Sequence, residues 1–179
     1  MRKALVSLGA AGLVGFGVLA APTAVGAVDT PVTFEADGGA LSITAPSADV
    51  DLGAVSVGTP TISGQLGTVT VDDERDLVSG SWTVTVTSTD FTTGAGSPAE
   101  TIPAGDVSYD PGTPFDPVGD ATYTPGDPGS LDPTTPLTAM SASDETGAGG
   151  VSWDPTITVH LPADMVAGTY AGTITHSFA

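Results

Sequence analysis

No cysteine occurs in the chain, and only three residues carry a lysine or arginine side chain. Without cysteine there is no disulfide framework of the kind that holds many small secreted domains. Thiolate metal sites and lipid-modified cysteine anchors are excluded with it. Two of the three cations, Arg2 and Lys3, stand at the N-terminus, so Arg75 alone faces 21 Asp and Glu. A surface of that sign cannot displace counterions from phosphate, which argues against a nucleic-acid partner. Anionic lipid headgroups repel it as well. Bases are scarce: His160 and His176 are the two histidines, and no Gly-x-Ser-x-Gly elbow accompanies them. No lysine is left to complete a phosphate-binding Gly-x4-Gly-Lys-Ser/Thr loop. No pair of carboxylates stands out for glycoside hydrolysis. The expectation is a protein that is not an enzyme. Amphipathic helices are missing too, because Pro and Gly interrupt every i, i+3, i+4, i+7 apolar set.

What is present begins with a secretory leader. Met1-Arg2-Lys3 is a basic n-region, Ala4 to Ala21 is apolar apart from Ser7, and Val25-Gly26-Ala27 suits signal peptidase. Residues 1–27 are read as a signal peptide. The glycines at 9, 12, 15 and 17 and the cleavage site argue against a retained membrane span. Residues 28–179 then form a single domain with net charge 1 − 21 = −20. No apolar tail or basic stop follows Phe178, so no stable membrane insertion is expected, and attachment at a surface is expected to be non-covalent.

Period two dominates the remainder. Trp82, Val84 and Val86 alternate with Thr, as do Ile157, Val159 and Leu161 with Thr and His. Tyr170, Gly172, Ile174, His176 and Phe178 repeat the pattern. Such alternation describes strands with one face buried. Val32–Glu35, Leu41–Thr44, Val50–Val57 and Gly67–Val71 are further candidates. Short strands separated by turn residues predict an all-β antiparallel sandwich or barrel-like fold of about eight to ten strands, with no substantial helix. Residues 94–150 differ, holding 9 Pro and 10 Gly in 57 positions. They are read as turns and extended loop around short strands near Val107–Tyr109 and Ala121–Tyr123.

Three sets of side chains could carry chemistry. Asp72, Asp73, Glu74 and Asp76 are the densest acid cluster and the candidate calcium ligands, the one cofactor considered. Against that, they also fit a polar turn between two strands. Among the aromatics, Trp82 fits a core position. Trp153, after Gly149-Gly150 and before Asp154-Pro155, is the candidate exposed aromatic. His176 shares a face with Tyr170, Ile174 and Phe178 and so is expected to be a packed, hydrogen-bonded core imidazole, with His160 facing solvent.

Trp82-Thr83-Val84 resembles the first Trp-x-Leu element of WxL domains, with Val for Leu. The C-terminal stretch is similar to the second element: Tyr170, then Ile174 and Thr175, then His176 in the place of the second Trp and Phe178 in the place of Leu. The resemblance implies a secreted β-rich domain attached non-covalently to the wall of a Gram-positive-type bacterium, through peptidoglycan or a wall glycan. It marks Trp82, Val84, Tyr170, Ile174, His176 and Phe178 as binding or core positions. Its expected partners are a cell-wall polymer or other surface proteins. A structural subunit of a surface assembly and an acidic calcium-dependent adhesin are the alternatives.

Overall fold

The computed structural model describes residues 31–179; residues 1–30, with the expected signal peptide and cleavage site, lie outside the described residues. The compact body is Ala36–Ala179. Before it, the expected strand Val32–Glu35 is not formed. Val50–Val57 is likewise not a strand: its alternating valines lie in a turn-bearing connection, with Val50, Val55 and Val57 partly exposed.

The chain is all-β. In order, the strands are β1 (Leu41–Thr44), β2 (Thr61–Gln65), β3 (Val69–Ser88), β4 (Phe91–Thr92), β5 (Thr101–Ile102) and β6 (Val107–Asp110). There follow β7 (Phe115–Val118), β8 (Thr122–Pro125), β9 (Gly129–Ser130), β10 (Leu137–Trp153), β11 (Thr156–His160) and β12 (Ile174–Phe178). Nine of these strands have four residues or more and three have two; the helical content among the described residues is two single 3-10 turns, Pro98–Glu100 and Ala104–Asp106. One antiparallel sheet has the order β1-β3-β10-β7, with β12 also paired to β3 and β8 to β10; a second has the order β2-β11-β6-β9. The curled sheets form a half-barrel.

β3 and β10 are the frame, and both are longer than a single regular strand. In β3 the buried positions are odd before the middle (Val69, Val71, Asp73) and even after it (Gly80, Trp82, Val84, Val86, Ser88). A regular strand cannot do this, because one extra residue sends every later side chain to the other face. The switch lies around Asp76, whose φ of 53° is left-handed. β10 makes the matching change near Asp144 (φ 59°) and Gly147 (φ 74°), and its register with β3 shifts between Ala142, Glu145, Gly147 and Gly149. These are β-bulges, which bend a strand and re-aim its faces. The acid run Asp72–Asp76 is therefore not a turn between two strands, as expected, but part of one strand that continues through a bulge. Leu77 and Val78 ride on its outer side, Val78 90% exposed.

Residues 94–150 are also more regular than their composition suggests. They hold β5 to β9 and most of β10. Gly150 serves the pairing there, because a Cβ at that position would press against the Val71 carbonyl of β3.

The core between the sheets contains Val69, Val71, Val84, Val86 and Met140 from one sheet and Val107, Tyr109, Ile157 and Val159 from the other, all essentially inaccessible. Trp82 packs against Tyr123 at a ring-centroid distance of 6.1 Å and edge-on against Phe178 at 6.4 Å. Trp82→Ala is expected to cost about 3–5 kcal/mol through the cavity it leaves. Thermal melting checks this; a variant with the parent's melting temperature would show that Trp82 is not a packing centre.

Candidate functional site

The residues that carry the motif resemblance meet at one seam. β12 runs antiparallel along β3, pairing Ile174 with Ser88, His176 with Val86 and Phe178 with Val84. The inward faces of both strands coincide there, so Phe178 reaches the Trp82 ring. Tyr170 lies outside β12. Its hydroxyl donates to the carbonyls of Ala99 (3.1 Å) and Val166 (3.0 Å), holding the connection before the strand. Four of the six motif positions sit directly on the seam as Trp82, Val84, His176 and Phe178. Ile174 joins them at its far end, and all are turned toward the interior rather than to solvent.

His176 belongs to a buried polar chain. The Trp153 indole N–H donates to the Tyr109 hydroxyl at 2.9 Å, and that hydroxyl lies 3.0 Å from His176 Nε2. Burial pushes the Tyr109 hydroxyl up to about 12, so it keeps its proton. Burial lowers His176 to about 4. A neutral imidazole with an open Nε2 lone pair accepts the tyrosine proton, and the tyrosine oxygen accepts from the tryptophan. The chain ties β12 to β6 and β10 across the two sheets. Trp153 is thus not an exposed aromatic. It is fully buried at the end of β10, because the bulges reverse the parity that a straight strand would have given it.

The acid cluster does not converge on a metal. Asp72, Glu74 and Asp76 point to solvent while Asp73 points inward, 2% exposed. Alternation separates neighbours in a strand onto opposite faces. Among the described residues no three His, Asp or Glu side chains come together as a metal site. The cluster expected to offer calcium ligands is instead split by the pleat. Asp73 is held by Arg75: Nη2 lies 2.6 Å from Oδ2, and Nε lies 2.9 Å from Oδ1. The guanidinium keeps the Asp73 carboxyl below its ordinary range, and Arg75 Nη2 also donates to the Ser81 carbonyl at 3.1 Å, bracing the bulge.

Two features carried no sequence signal. Glu145 is a buried carboxyl, 1% exposed, with no hydrogen-bond partner for either oxygen, and the nearby Trp82 indole nitrogen is also unpartnered. Its inward position depends on the β10 bulges, which alternation alone does not locate. The second is an open, mainly apolar cavity of about 560 Å³ between segments 50–57 and 165–170, lined by Phe91, Ile102, Val159 and Tyr170 among others. Glu145 lines neither this cavity nor the smaller one beside Pro46 and Leu66.

Comparison of the chain with protein-family models, with curated proteins and with solved structures gave no match.

Tyr109→Phe is expected to destabilise the protein by about 1–3 kcal/mol, since it strands the Trp153 and His176 nitrogens in the interior. Denaturant unfolding reads this, and a change within error would mean that neither nitrogen depends on the hydroxyl. Because His176 is lowered from 6.5 to about 4, the unfolded chain takes up its proton first as pH falls. That part of the stability is expected to be present above pH 6.5 and lost toward pH 4. A His176→Gln variant should lack this loss when melted in parallel with the parent over the same window.

Proposed function

We propose that this chain is a secreted, non-catalytic β-module that holds non-covalently to the cell wall of a Gram-positive-type bacterium, through peptidoglycan or a wall glycan. The observation that carries the proposal is the seam itself. Two short elements more than eighty residues apart, chosen from their likeness to WxL domains, are neighbouring strands in register, with Trp82 against Phe178. Elements that meet in this way support one functional unit rather than two chance matches.

The absence of a catalytic role draws support from where the candidate groups lie. Of the two histidines, His176 is engaged with Tyr109 and held neutral by burial, and His160 is exposed at the end of β11 and lines neither cavity. The carboxyl pushed upward, Glu145, is almost inaccessible and lines neither of the two cavities described above, which places it poorly for proton transfer to a substrate. Since the motif side chains form the core, the polymer would meet exposed surface. The open cavity beside Tyr170, the first residue of the second element, is the concave surface closest to the motif in sequence.

A second reading, as a structural subunit of a surface assembly, rests on β12. Its five residues contain no proline, and among the described residues only β3 pairs with it, on one side. An open edge of that kind can accept a strand from another molecule.

Sedimentation of the mature chain with isolated cell walls tests the first reading. Binding is expected to be stronger to walls stripped of teichoic acid, because a chain of net charge −20 is repelled by an anionic polymer. The difference between stripped and intact walls should shrink in high salt. Failure to sediment with either preparation overturns the wall reading. Self-association at micromolar concentration in the same samples, without wall binding, would favour the assembly subunit.

A further inference from the structure

The inward faces of β3 and β10 bring two carboxyls into the interior beside the bulges. Asp73 is 2% exposed and Glu145 is 1% exposed. Arg75 is the sole lysine or arginine after residue 3, and it is committed to Asp73 by three side-chain hydrogen bonds. Among the described residues no second cation stands beside Glu145, and Arg75 reaches it by charge alone, as the smallest influence on its carboxyl. The Glu145 carboxyl lies over Gly149, the residue of β10 that pairs with Asp73, so two ionised carboxylates would stand close together in the interior, and a buried charge without a partner costs several kcal/mol. The arrangement is relieved if Glu145 keeps its proton, since a carboxylic acid can donate to the Asp73 carboxylate.

The surroundings fit a neutral Glu145. From β3 it is faced by Asp73, Arg75 and the Trp82 indole, and from β8 Tyr123 approaches it across Gly149. The Tyr123 hydroxyl is already used, donating to the Val118 carbonyl (2.6 Å) and accepting from the Gly150 N–H (2.8 Å). Asp120 and Asp144 lie nearby but are exposed and occupied, accepting from the Thr146 N–H and the Ser143 hydroxyl. Gly149 leaves room for the Glu145 side chain, because a Cβ there would overlap the carboxyl. Burial, then the neighbouring Asp73 carboxylate, push Glu145 up to about 7.

The pairing beside this proton is interrupted by successive register shifts between Ala142 and Gly149. We propose that Asp73 and Glu145 share a single proton across the β3–β10 bulges, and that its loss loosens this junction, making it a pH-gated element of the sheet. Nothing in it depends on the wall reading, and it stands whether or not the chain binds a polymer. The sign is definite. A carboxyl that holds its proton more tightly when folded contributes stability below its ordinary pKa of 4.5, and that contribution is lost as pH rises toward 7. His176 works in the opposite sense between pH 4 and 6.5, so the parent's melting curve alone does not separate the two.

The test compares the mature protein with Glu145→Gln from pH 5 to pH 8.5. The amide mimics the protonated acid and can donate to Asp73. The two proteins should melt with a small, fixed offset at pH 5, and the parent should fall behind by roughly 5 °C more by pH 8. An offset that stays constant across the range overturns the shared proton. Should the variant not fold, the parent itself provides the reading. Its infrared spectrum should show one protonated carboxyl at pH 6 that is gone by pH 8.5, and absence of that band at pH 6 overturns the proposal. Backbone amides from Ser143 to Gly149 should exchange faster at pH 8 relative to the rest of β10, after correction for intrinsic base catalysis. Unchanged relative protection would overturn the loosening.

Discussion

β3 keeps a core-facing row over twenty residues only because it changes parity halfway. The constraint is geometric. Side chains alternate strictly along a strand, so a bend that lets the sheet curl must also re-aim the row. Asp76 in β3 and Asp144 and Gly147 in β10 take up the left-handed backbone at the bend, and the two strands bulge together. Everything that gives the domain its interior follows from this. Val71 and Trp82 share the core across an odd separation in sequence, and β12 finds an inward-facing row on the second half of β3 to pack against. Glu145 and Trp153 arrive inside although simple alternation from Met140 and Ala142 would send them to the other face.

With no disulfide, the interior is fastened by two polar clusters of different character. One is neutral, running from Trp153 through Tyr109 to His176, and each group in it has a partner with suitable proton geometry. It joins both sheets to the last strand. The other is charged and incompletely matched. Arg75 satisfies Asp73 and the Ser81 carbonyl, while Glu145 and the Trp82 indole are left facing each other without a hydrogen bond. A satisfied network rigidifies what it connects, whereas a partly satisfied one concentrates electrostatic cost at one place. That cost lies at the bulges, where backbone pairing is already broken. The rest of the large negative charge stays on solvated surface and leaves the core undisturbed.

Much of the architecture was legible from alternation. Leu41–Thr44, Trp82–Val86, Val107–Tyr109 and Ile157–Val159 are strands because Val, Ile and Thr in period two fit a half-buried pleat. Tyr170–Phe178 was only half a strand, since Gly172 packs against the Phe91 ring and the chain joins the sheet at Ile174. Val50–Val57 alternates equally well and forms no strand, which shows that the pattern needs a neighbour to pair with. The 94–150 region misleads in the other direction. Its proline and glycine sit at ends, edges and bulges, such as Pro117 and Pro125 on the outer strands β7 and β8, so the composition of a loop covers a region with six strands or parts of strands.

By itself, the sequence determined the class of fold, the absence of cross-links, the sign of the surface and the two elements that resemble WxL domains. These depend on residue type and local period, which a linear chain states openly. It also determined that one cation would have to serve the entire domain. Tertiary structure alone decided which acid that cation serves, that Trp153 is buried rather than exposed, and that the Asp72–Asp76 run is divided between two faces. It decided too that a carboxyl lies unpaired in the core. Each of these turns on the parity of a bulged strand, and a bulge is set by how two distant strands settle into register, not by the residues of either one.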